Sequence, residues 1–136
     1  MKNLSISTLL AIAILAASSA YAHHSAAGID RTKTVVVEGT VKSFKWGNPH
    51  SWLEVDVPNS KGGIDLWNFE MNPPAYLVRS GWKANSVKAG DKVKVTGRPF
   101  MNGEPGGLFV SVTLADGHVL AAGQQPSTLP PAEPAK

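Results

Sequence analysis

Four histidines carry most of the coordination chemistry available to this chain, and two of them are adjacent. His23 and His24 follow Ala20-Tyr21-Ala22, whose small-x-small form suits signal peptidase. Cleavage after Ala22 would give His23 a free α-amine beside its imidazole. Those two nitrogens can close a chelate ring on a metal, as in a histidine brace. His24 offers a second mode, in which the amine, the intervening amide and the His24 ring bind together. All-nitrogen tetragonal sets suit copper(II), the tightest binder of the divalent series. The amine has an ordinary pKa of about 8, so binding at neutral pH displaces a proton. The plainer alternative is that His23-His24 is a soluble, cleavable junction.

A third nitrogen comes from WGNPHSW (residues 46–52), where His50 ends an Asn-Pro turn between two tryptophans. By parity His50 shares the solvent face of the following strand with Trp52, Glu54 and Asp56. If the N-terminal segment crosses the barrel there, His23 and His50 meet; the alternative is that His50 caps the turn or packs on an indole. His118 follows an Asp-Gly turn and is the remoter, fourth candidate ligand. Met71 and Met101 lack the clustered Met-x-Met spacing of copper carriers and are assigned to packing.

The tryptophans are the second resource. Trp46, Trp52 and Trp82 could form an exposed face for a small apolar molecule or a protein partner, with Trp52 the best placed of them. Trp67 shares parity with Phe69 and is expected in the core. No Gly-x-Ser-x-Gly elbow, His-Glu-x-x-His or phosphate loop occurs. Glu54, Asp56, Asp65 and Glu70 show no pairing in sequence and are read as solubilising, so a non-enzymatic binding protein is expected.

Composition sets the frame for these sites. Lys2 followed by the apolar run LLAIAILAA (9–17) gives residues 1–22 the form of a cleavable leader, too short for a confident membrane span. A periplasmic location is expected, with no stable membrane insertion after cleavage. Removal would leave 114 of the 136 residues, one domain, and lower the formal charge from +3 to +2. Basic and acidic residues are interspersed rather than gathered into a stripe, which argues against nucleic acid. With no cysteine, neither disulfides nor thiolate ligands are available.

The elements that must position the histidines have mostly period two. KTVVVEGTVKSFKW (33–46) places Val35, Val37 and Val41 on one face and Phe44 and Trp46 on the other parity, which predicts a bulge near Lys42-Ser43. SWLEVDV (51–57) alternates, with Leu53, Val55 and Val57 inward. Asn59–Gly63 reads as a turn and 63–70 as the return strand. Pro73-Pro74 opens a short helix that Gly81 caps. KAGDKVKVTGRP (88–99) is a turn and a strand with Val93 and Val95 inward, and 108–120 is the last strand, with an Asp-Gly turn. Three strands, a helix and two strands predict an all-β domain with one short helix, a five-stranded OB-fold-like barrel; an open sandwich is the alternative. The expected organisation is a leader (1–22), a metal-binding arm (23–32), the barrel (33–120) and a disordered Pro/Ala-rich tail (121–136) with four prolines.

Taken together, HHSAAGID, KTVVVEGTVKSFKWGNPHSWLEVDV, LWNFE, GWKANSVKAGDKVKVTGRP and GGLFVSVTLADGHVL resemble a family of small exported Gram-negative bacterial proteins of unknown function. The marks of the resemblance are the mature start HHS, the NPH turn after an aromatic and the closing LADG. It spans His23 to about Leu120 and implies export and an OB-like barrel, but no activity. Its motifs carry the same histidines, His23, His24 and His50. One departure is Met71-Asn72-Pro73-Pro74, where a small, Gly-rich stretch is expected after the third strand.

Overall fold

Val37 and Val41 are buried while Glu38 and Lys42 are exposed, the alternation of a strand with one face on a core. These residues belong to β1 (Val35–Lys45) in a computed structural model that describes residues 28–123 and 133–134. Between Val41 and Ser43 the register against β2 (Ser51–Pro58) shifts. The bulge at Lys42 changes which parity points inward, so Phe44 and Trp46 pack against the core beyond it.

β1 pairs twice. Its first half lies antiparallel to β4 (Lys92–Pro99) and its second half antiparallel to β2, with Thr40 in both ladders. Gly39 sits where the two pairings meet, and a Cβ there would collide with the Asp56 carbonyl and the Val55 side chain. β2 turns through Asn59, whose Oδ1 accepts from the amides of Lys61 and Gly63, into β3 (Ile64–Met71). β3 runs parallel to the start of β5 (Gly106–Leu114), and β5 runs antiparallel to β4. The circuit β1-β2-β3-β5-β4-β1 closes a five-stranded mixed barrel, consistent with an OB-fold.

The start of β5 needs glycine against both of its neighbours, β3 and β4. Gly106 and Gly107 have φ of 136° and 154°, and a Cβ on either would strike the carbonyls of Asn68 and Arg98 respectively.

Two short strands lie outside the barrel circuit among the described residues. The stretch 108–120, expected as one strand, is a hairpin: Asp116-Gly117 reverses the chain so that β6 (Val119–Ala121) pairs back on β5. The Leu114 amide donates to the His118 carbonyl at 2.9 Å, and Gly117 has a φ of 85°. β7 (Glu133–Pro134) lies parallel to Val35–Val36. The expected tail therefore overlaps described structure at Ala121–Gly123 and Glu133–Pro134; residues 124–132 and 135–136 lie outside the described residues, as do the leader, His23 and His24.

Between β3 and β4, Pro74 opens α1 (Pro74–Leu77), a 3₁₀ turn follows over Val78–Ser80, and Gly81 caps it in the left-handed region. This connection delivers Leu77, Trp82 and Val87 into the same core as the barrel valines, Leu53, Phe69 and Phe109. The Trp82 indole lies edge-on to Phe109 at 5.5 Å, and its Nε1 donates to the Ala121 carbonyl at 2.7 Å. No helix among the described residues is long and apolar enough to cross a membrane.

Candidate functional site

His50 stands one residue ahead of β2, in the β1–β2 loop, after a cis Asn48–Pro49 peptide. The β2–β3 ladder puts Ser51 opposite Met71, which brings the end of β3 beside this loop. Nδ1 of His50 lies 3.1 Å from Oε1 of Glu70 and 3.3 Å from the Met71 carbonyl oxygen. The His50 side chain is 42 % exposed and that of Glu70 only 8 %. Glu70 is thus a buried carboxylate, and the His50 ring faces it at hydrogen-bonding distance.

Glu70 is a site residue that sequence reasoning passed over. Its parity on β3 matches Asn68 and Leu66, on the outward face, and outward carboxylates normally remain in water. What buries it is tertiary. Ile29, Arg31, His50, Glu70, Met71, Asn72 and Leu108 line one cleft of about 120 Å³. The register of the β2–β3 hairpin was the one available signal, since it sets His50 and Glu70 at the same end of the pair.

The first two of those lining residues come from the base of the expected N-terminal arm. Ile29 is buried and bridges antiparallel to Phe100. The Asp30 amide donates to the Pro99 carbonyl at 2.9 Å and the Met101 amide to the Gly28 carbonyl at 2.8 Å. The Arg98 guanidinium donates to the Arg31 carbonyl. Asp30 closes the turn by accepting from the Thr32 hydroxyl and amide, with Lys33 at 3.5 Å, and these contacts hold its carboxyl below the usual range. The arm is therefore stitched to the β4–β5 side before it reaches β1.

The remaining candidates separate. His118 caps the β5–β6 hairpin beyond Leu114, while Leu108, six residues earlier on the same strand, lines the His50 cleft. Those two positions on β5 are separated by roughly 20 Å, at about 3.3 Å per residue, so the two histidines stand by opposite ends of the strand. Among the described residues no group of three or more His, Asp or Glu side chains is disposed to hold a metal. Of the cleft residues His50 offers a free ring nitrogen, and a metal held there would need further nitrogen or oxygen donors from elsewhere in the chain. Met71 is 1 % exposed and belongs to the core; Met101, expected to pack, is 69 % exposed.

The aromatic face expected from Trp46, Trp52 and Trp82 does not assemble. Trp82 is 1 % exposed, because its indole finds both an apolar core and a carbonyl acceptor there. Trp46 packs edge-to-face on Phe44, ring centres 5.7 Å apart, at the margin of the core. Trp52 is half-buried on the outer face, opposite Lys45 on one side and Glu70 on the other. Beside it Glu54 accepts from Lys45 at 2.7 Å and Ser43 at 2.6 Å, which lowers its pKa. Trp67 stacks on Phe69 at 5.9 Å and packs against the core, as its parity predicted.

No curated protein and no solved structure matches this chain. A family does: the chain belongs to the family described as "Family of unknown function (DUF6152)", which matches residues 11–110.

Proposed function

We propose, proceeding from a family whose description carries no activity, that this protein is exported to the periplasm and binds copper(II) without catalysing a reaction. The ligands are the α-amine and imidazole of His23, freed by cleavage after Ala22, and the imidazole of His50. His24 is an alternative local ligand, and His118 takes no part.

The observation that carries this reading is that Ile29 and Arg31 line the same cleft as His50. His24 is five residues from Ile29 and His23 six, so chain length allows them to within about 16–22 Å of a residue that already borders the cleft. The cleft is bordered by the β1–β2 loop, the end of β3 and the start of β5, and the β1–β2 loop is one of those through which OB-folds take ligands. A half-exposed imidazole whose other neighbours are oxygen acceptors is a competent nitrogen donor.

The deciding experiment is the intact mass of the exported, untagged protein with and without one equivalent of copper(II). A mass beginning at His23 with one copper retained against free histidine supports the reading. A mass beginning elsewhere, or no copper retained, overturns it.

A further inference from the structure

Glu70 has no place in the ligand set just proposed, yet it is the most buried carboxylate among the described residues. Burying a carboxylate costs stability unless it is hydrogen-bonded. Here it faces Nδ1 of His50, and the second neighbour of that nitrogen, the Met71 carbonyl, is also an acceptor. A nitrogen flanked by two acceptors must carry the proton. In the neutral ring the other nitrogen, Nε2, then holds the lone pair.

We infer that Glu70 is a positioning residue that commits His50 to the Nδ1–H tautomer and leaves Nε2 as its metal-binding atom. The inference rests on the copper reading above for its purpose, but its geometry stands without it. Carboxylate–histidine–metal triads work in this way: the carboxylate fixes the tautomer and ring orientation and makes the ligating nitrogen more basic. Glu70 suits the role because the strand holds it. Trp52 and Leu108 face it across the two ladders of β3, so its backbone is pinned from both sides. The arrangement also accounts for the burial of an outward-facing glutamate, for which the barrel core has no use.

The test reads the metal-free exported protein by ¹⁵N NMR of the histidine ring nitrogens at a pH above the ordinary histidine range. The His50 signals are assigned by their loss in His50→Ala. The expected result is a protonated Nδ1 and an unprotonated Nε2 in the wild type, with reversion toward the Nε2–H form favoured by free histidine in Glu70→Leu. Glu70→Gln, which keeps size and one acceptor, serves as the fold-preserving control and retains more of the Nδ1–H form than Glu70→Leu. An Nε2–H tautomer in the wild type overturns the inference. In a parallel titration of a wild type that retains copper, Glu70→Leu weakens binding by about 10–100-fold; an affinity equal to that of such a wild type also overturns it. Because the tautomer is read without metal, it decides the role of Glu70 even if the wild type retains no copper, a result that would overturn only the copper reading.

Discussion

The 3.1 Å approach of His50 Nδ1 to Glu70 Oε1 joins an exposed loop histidine to a carboxylate buried at the end of β3. Neither residue belongs to the barrel core, and the cleft that holds them is completed by the chain segment leading back toward His23 and His24. A loop, a strand end and the base of the arm thus meet at one cleft.

Removing ligands should therefore grade copper affinity. His50→Ala is expected to weaken copper(II) binding by at least about tenfold, or about 1.4 kcal/mol. Blocking the α-amine of His23 is expected to weaken it much further, and His118→Ala to leave it unchanged. Competition titrations against free histidine on the exported protein measure all three.

The arm's anchor should matter as much as its ligands. Ile29→Ala removes a buried side chain whose loss costs about 2–5 kcal/mol in a well-packed site. Part of that loss is expected as detachment of the Gly28–Asp30 bridge from Pro99–Met101. Amide exchange at Met101 should accelerate, and copper affinity should fall although no ligand is touched. Unchanged affinity with accelerated exchange would show that the anchor does not serve the site.

Trp82 tests the core. Trp82→Ala is expected to cost about 3–5 kcal/mol, the usual range for truncating a buried aromatic. Trp82→Phe keeps most of the apolar contact with Phe44 and Phe109 but leaves the Ala121 carbonyl without its donor, at about 1–3 kcal/mol. Urea midpoints followed by far-UV circular dichroism rank the two variants.

Acid sensitivity follows from two carboxylates. Asp30 is depressed chiefly by its Thr32 hydrogen bonds, and Glu54 chiefly by Lys45 and then Ser43. A carboxylate whose folded pKa lies below its unfolded one contributes stability that is complete above the unfolded value, and that stability is lost as the pH falls through the folded value. Stability should thus decline as the pH falls through about 4–4.5, where unfolded Asp and Glu are about half protonated. Asp30→Asn and Glu54→Gln should each flatten the decline in urea midpoint measured from pH 6 down to pH 3. The Glu54 contribution should also shrink at high salt, since its lysine partner is exposed.

The glycine seam gives a paired comparison. Gly107 and Gly117 both have positive φ, but a Cβ at Gly117 meets open space whereas one at Gly107 meets the Arg98 backbone. Gly117→Ala is expected to cost about 1–3 kcal/mol from backbone strain alone. Gly107→Ala should cost more, because the β4 backbone at Arg98 and Pro99 must also move. Thermal midpoints of the two variants provide the measurement.

Much of this architecture was written locally. The alternation Leu53-Val55-Val57, the parity change at Lys42, the turn at Asn59–Gly63 and the Gly81 cap are properties of a few neighbouring residues, and each occurs where the sequence places it. The order of strands and helix was enough for an OB-like barrel. The site was less legible. His50 could be singled out by type and turn, but its partner could not, because Glu70 is outward by parity and becomes buried only when the arm base, the β1–β2 loop and Leu108 converge on it. Trp82 was misplaced for the same reason: its parity and composition allow a surface ring, and only the Ala121 carbonyl and the core aromatics, brought up by β5 and β6, draw it inside. Local backbone preference and side-chain period act over a few residues, so sequence alone determined the first four strands, the bulge at Lys42 and the turns, but not the β5–β6 pairing that makes 108–120 a hairpin. Barrel closure joins residues far apart in the chain, so only the tertiary structure decided which polar group is buried, which nitrogen it faces and which histidine stands apart.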